Sequence, residues 1–114
     1  MDINYRDKLH ELMLTAVKQG ASDLHIGVGK KPTLRIDGLL MALEKEAVVT
    51  PEMAEGLVGA LMTPEQEQNF AAKKELDFSY SFEDKARFRV NVFTQRSFKA
   101  AALRSIPSQI RTLE

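Results

Sequence analysis

Cysteine is absent from the 114 residues, which excludes a disulfide framework, a thiolate metal site and cysteine nucleophilic chemistry, and suits a reducing compartment. Charge of one sign is missing too. Sixteen Lys and Arg balance sixteen Asp and Glu, so no overall field draws the chain to nucleic acid or an anionic membrane, and any anion site must be local. The opening MDINYRDK has no apolar signal core, and no apolar run approaches the roughly 20 residues of a membrane-spanning helix, so a cytoplasmic protein without direct membrane insertion is expected. The phosphate-loop pattern G-x-x-x-x-G-K-[ST] does not occur. Gly27-Val28-Gly29-Lys30-Lys31 lacks its first-glycine spacing and its hydroxyl residue, and it reads as a turn between strands. The two histidines, His10 and His25, fall on a helix and a strand and make a weak case for metal binding, so no metal site is expected. Internal repeats and low-complexity segments are also lacking.

What is present is the composition of a soluble globular protein. At 44% hydrophobic and 28% charged, the chain is too apolar for a disordered segment and long enough for one core. Leu9, Leu12, Met13, Ala16 and Val17 recur at helical spacing before Gly20, which predicts a helix over residues 4–19. From Ser22 to Val28 the period changes to two, with Leu24, Ile26 and Val28 on one side and Asp23 and His25 on the other. Thr33 to Ile36 resumes the alternation, and Asp37-Gly38 signals a hairpin into Leu39 to Ala42. Thr50-Pro51 and Thr63-Pro64-Glu65-Gln66 each open a helix, the second as a capping box, while Gly56 and Gly59 weaken the first. Alternation returns over Leu76 to Phe82. It continues past a turn at Glu83 to Ala86 into Phe88, Val90 and Val92, and a last strand covers Phe98 to Ser105. Met13, Met41, Met53 and Met62 sit among apolar positions and are expected to fill core gaps. The order predicts an α+β domain whose antiparallel sheet carries helices on one face and leaves the other polar.

On that polar face Arg87, Arg89 and Asn91 point the same way, opposite or diagonal to Asp77, Ser79 and Ser81. One reading is a solvated surface with cross-strand ion pairs. The other is phosphate contact, because guanidinium forks bind phosphate oxygens in bidentate geometry, with the nucleotide supplied from elsewhere. Asp23 and His25 share one side of a strand with no nucleophile or third ligand near them in sequence, which favours a structural or interface role over acid–base catalysis.

Four segments, Ala21-Ser22-Asp23-Leu24-His25-Ile26, Pro32-Thr33-Leu34-Arg35-Ile36-Asp37-Gly38, Ala86-Arg87-Phe88-Arg89-Val90-Asn91 and Arg104-Ser105-Ile106-Pro107, resemble in order and spacing the N-terminal domain of PilT-like type IV pilus retraction ATPases, within the type II/IV secretion ATPase superfamily. The resemblance implies a PAS-like domain over residues 1–105. Residues 106–114 are then the start of a linker to a RecA-like domain that holds the Walker motifs, ATP and Mg. It also implies a homohexameric motor at the inner-membrane base of the pilus machinery, with neighbouring subunits and a pilus inner-membrane platform protein as partners. Arg87 and Arg89, with Arg104 as a third, match the arginines that approach the nucleotide phosphates, whereas Asp23, His25 and Asn91 fall in interface or structural motifs. The fragment itself is expected to be inactive. Thr94 to Leu103 lacks the glycine of the nearest PilT-like sequences, which leaves PilT-like and PilU-like motors both open. A stand-alone PAS-like regulatory or ligand-binding module is the alternative.

Overall fold

The structure, a computed structural model, describes residues 4–82 and 86–106. Asn4 caps the first helix, α1 (Tyr5–Lys18), accepting the Asp7 backbone N–H on its side chain at 3.1 Å. Gly20, at φ +71°, turns the chain into β1 (Asp23–Ile26). Then come β2 (Thr33–Ile36) and β3 (Leu39–Ala42). They are joined by Asp37 and Gly38, both at positive φ, the two-residue hairpin that the Asp-Gly pair predicts. Helices α2 (Pro51–Leu61) and α3 (Pro64–Lys73) begin at Thr50 and Thr63, and the capping box between Thr63 and Gln66 forms as expected. β4 (Glu75–Phe82), β5 (Ala86–Gln95) and β6 (Phe98–Ser105) complete the chain. The predicted turn at Glu83 to Ala86 falls largely outside the described residues, with Ala86 already in β5.

All six strands lie in one antiparallel sheet of order β3-β2-β1-β6-β5-β4. α1 and α2 pack together over one face. There Leu9, Leu12 and Met13 from α1 and Leu57, Val58 and Leu61 from α2 meet Leu24, Leu34, Phe88, Val90 and Leu103 of the sheet in a single buried cluster. The α+β class with helices on one face is therefore observed.

Two expectations change. The strand predicted through Val28 stops at Ile26, because the next stretch pairs elsewhere: the Gly29 N–H donates to Val49 O and the Val49 N–H donates to Lys30 O, each at 2.9 Å. Alternation within residues 22–28 cannot reveal that competing partner. Met41, expected in the core, is 51% exposed. It lies on the edge strand β3, all four residues of which are exposed. Met13 and Met62 are buried, and Met53 packs against the core.

The β5–β6 connection is a two-residue turn from Gln95 to Phe98, with Arg96 at φ +55° and Ser97 at +73°. Residues other than glycine enter that region at a cost of about 1–2 kcal/mol each.

Candidate functional site

The face of the sheet opposite the helices takes its chemistry from register. β5 pairs with β4 so that Ser79 faces Arg89, Ser81 faces Arg87 and Asp77 faces Asn91, the placements expected from the alternation. On its other side β5 pairs with β6, setting Arg104 directly opposite Arg89. β6 in turn pairs with β1, which sets Asp23 opposite Arg104, and β2 brings Arg35 opposite Asp23. One row thus crosses five strands: Arg35, Asp23, Arg104, Arg89, Ser79.

That row holds three guanidinium groups and one carboxylate. Like charges directly opposite one another on a sheet are destabilising, so the Arg89–Arg104 pair is a local concentration of positive charge in a chain whose total is zero. Asp23 is 8% exposed although it lies on the open side. Its Oδ1 accepts the Ser22 hydroxyl at 2.6 Å, and its Oδ2 accepts Arg104 Nε at 3.4 Å. Arg35 Nη1 donates to the Gly38 carbonyl at 3.1 Å. Among the described residues Arg87 and Arg89 make no ion pair.

Burial pushes the Asp23 carboxyl upward, but the Ser22 hydrogen bond and the Arg104 charge outweigh it and hold the group below the ordinary aspartate value of 3.8. A carboxylate lowered on folding contributes stability that is present above its unfolded-state value and lost as pH falls through the folded one. The gap in urea midpoint between wild type and Asp23→Asn is therefore expected to be widest near neutrality and to close as the pH is brought below 3.8. A gap that stays constant between pH 7 and pH 3 would refute the assignment.

The remaining candidates separate. Asn91 Nδ2 donates to Asp77 Oδ1 at 2.9 Å and to Glu75 Oε2 at 3.2 Å, which ties β5 to the acidic side chains of the edge strand β4. His25 faces Thr33 and Ala102 in register, and its Nε2 is buried without a hydrogen-bond partner among the described residues. It lines an open-face cleft of about 280 Å³ with Lys30, Thr33, Arg35, Phe93 and Gln95. His10 lies instead on the helix side, stacked on Phe82 at 4.0 Å between ring centroids and hydrogen bonded through Nε2 to the Tyr80 hydroxyl at 2.8 Å. The two imidazoles are not brought together. Arg35 is the residue that sequence reasoning missed: its alternation with Thr33 was visible, but nothing local shows that β2 flanks β1 with Arg35 opposite Asp23.

No protein-family model matches the chain. The type IV pilus retraction ATPase PilT of Pseudomonas aeruginosa is 36% identical over 104 residues, which make up 91% of this chain and 30% of PilT. The type IV pilus ATPase PilU of the same organism is 34% identical over 107 residues, 94% of this chain and 28% of PilU. Among solved structures, the pilus retraction motor PilT with bound ADP superposes with a TM-score of 0.81 at 32% identity, covering 96% of this chain and 31% of that one. The Legionella pneumophila ATPase DotB, with a TM-score of 0.73 at 20% identity, shares the fold. The chain spans about a third of the length of these relatives. Four segments in register, the helix-on-sheet architecture and homology over most of its length together make this chain a PilT-like N-terminal domain.

Proposed function

We propose that this domain serves a PilT- or PilU-like motor that hydrolyses ATP to work a type IV pilus, and that its open sheet face presents Arg87, Arg89 and Arg104 to the nucleotide phosphates. The observation that carries the reading is the direct cross-strand pairing of Arg89 with Arg104. Two arginines at directly opposed positions with no carboxylate between them repel each other, and a phosphate chain relieves that repulsion while satisfying their planar forks. ATP, when bound, supplies the phosphoryl group, and a RecA-like domain following a linker at residues 106–114 would hold it together with Mg. The residues of this chain bind and orient the phosphate oxygens. Neighbouring subunits of a homohexamer and an inner-membrane platform protein are the partners in this reading, which places the motor in the cytoplasm. No helix among the described residues is long and apolar enough to cross a membrane. The ADP bound to the related PilT supports nucleotide use in this family.

A PAS-like module enclosing a small molecule is less well supported. It needs space between sheet and helices, where Leu9, Leu12, Leu24, Phe88 and Val90 are fully or almost fully buried.

In the ATPase carrying this domain, the double substitution Arg87→Ala/Arg89→Ala is expected to lower turnover about tenfold. This is less than a preorganised, water-excluded donor delivers, because these side chains are exposed in the domain alone. The circular dichroism spectrum of the isolated domain should not change. Undiminished turnover would remove the arginine assignment.

A further inference from the structure

We infer that Asp23 is a positioning residue for anion recognition: from a buried site it holds the Arg104 guanidinium by its Nε edge, so that the two terminal nitrogens face outward toward phosphate. The inference rests on the phosphate reading of the open face and adds a residue that does not itself touch the ligand. It starts from the distribution of hydrogen bonds. Each Asp23 oxygen has a different partner, Ser22 Oγ on Oδ1 and Arg104 Nε on Oδ2. Ser22 is fixed by its own backbone, since its N–H donates to Arg35 O at 2.8 Å and its carbonyl accepts from the Ser105 N–H at 2.9 Å. The carboxylate therefore stands on backbone tied to both β2 and the end of β6.

Arg104 is engaged only at Nε among the described residues, and its side chain remains 72% exposed. A guanidinium held in this way keeps four of its five N–H groups for an incoming anion, in the fork geometry that matches phosphate. The charges on either side explain why a holder is needed. Arg104 lies opposite Arg89 on one side, and Arg35 lies beyond Asp23 on the other. Without Asp23 three arginines would share the row, and Arg104 would swing away from Arg89 into solvent. Because the Arg104 half of the pair is exposed, the attraction between the two groups is screened and modest by itself.

The test uses the chain itself, labelled with nitrogen-15, with sodium tripolyphosphate as the probe and the Arg Nε–H signals as the readout. In wild type the Arg104 and Arg89 signals are expected to move together on titration. In Asp23→Asn the apparent Kd should rise about fivefold, with the response of Arg104 reduced more than that of Arg89. Arg104→Lys keeps the charge and removes Nε, so adding Asp23→Asn to it should change the Kd no further. A structural role for Asp23 would weaken binding equally in both backgrounds. That result, or an unchanged Kd in Asp23→Asn, overturns the positioning role and leaves the phosphate reading standing. If neither arginine responds in wild type, the phosphate reading fails and the inference fails with it. Should Asp23→Asn not fold, Ser22→Ala carries the same cycle: it releases one carboxylate oxygen without removing the charge, and a loss that does not depend on Arg104 Nε again overturns the role.

Discussion

Phe88→Ala is expected to lower the stability of the domain by about 3–5 kcal/mol, read as a fall in urea midpoint at constant slope. Phe88 is 0% exposed and heads the fully buried side chains by volume. It sits in β5, flanked in register by Tyr80 of β4 and Ser105 of β6, on the face where α1 packs. Truncation removes the aromatic contacts of a strand paired on both sides, and a hydrogen-bonded sheet cannot collapse to fill the space. Domains of this size have a total stability of about 5–15 kcal/mol, so the loss takes a large share and leaves the variant marginal. Phe98→Ala is the control. Phe98 is 40% exposed at the β5–β6 turn, and its truncation should cost well under half as much. Equal losses at the two sites would mean that the core is not centred on β5.

The second large effect has an unexpected sign. Gly56 and Gly59 both lie inside α2, where helix propensity alone favours alanine by about 1 kcal/mol at either site. The surroundings separate them. A Cβ on Gly59 would meet only Glu67 Oε2, at 3.4 Å, so Gly59→Ala should stabilise the domain. A Cβ on Gly56 would land on the Tyr5 ring, 2.5 Å from Cγ. Because that contact is at the root of the ring, rotating the ring about its own axis does not relieve it, and Tyr5 is packed against the core at the start of α1. Gly56→Ala is therefore expected to destabilise by about 1–3 kcal/mol, with α1 forced away from α2. The double variant Tyr5→Ala/Gly56→Ala should lose less than the two single losses added together. Thermal melts of wild type and the four variants decide the matter, and a Gly56→Ala variant as stabilised as Gly59→Ala would show that the α1–α2 contact is loose.

Much of this architecture is local and could be read as such. Thr63 and Gln66 make their capping box from chemistry four residues long, and Asp37-Gly38 makes its turn because those residues tolerate positive φ. The facing of Ser79 with Arg89 and Asp77 with Asn91 is of the kind that two alternating runs paired antiparallel produce, so the polar side of that pair is legible in the sequence. The burial of Met41 and the end of the first strand were misplaced for the opposite reason. Whether an apolar residue is buried or a strand continues depends on what lies beside it, and β3 lies at the sheet edge while Gly29 and Lys30 are captured by Val49, about twenty residues away. Neither fact leaves a trace in periodicity.

By itself the sequence determined the helices, the strands, the two-faced sheet and the likeness to PilT-type domains, because periodicity, caps and motif spacing act over a few residues at a time. Only the tertiary structure decided the candidate site. It inserts β6 between β1 and β5, bringing Arg104 beside Asp23, 81 residues away in the chain, and opposite Arg89. Strand order is selected by how the whole set of strands covers the apolar faces of α1 and α2 at once, a cooperative condition that no single segment of the chain contains.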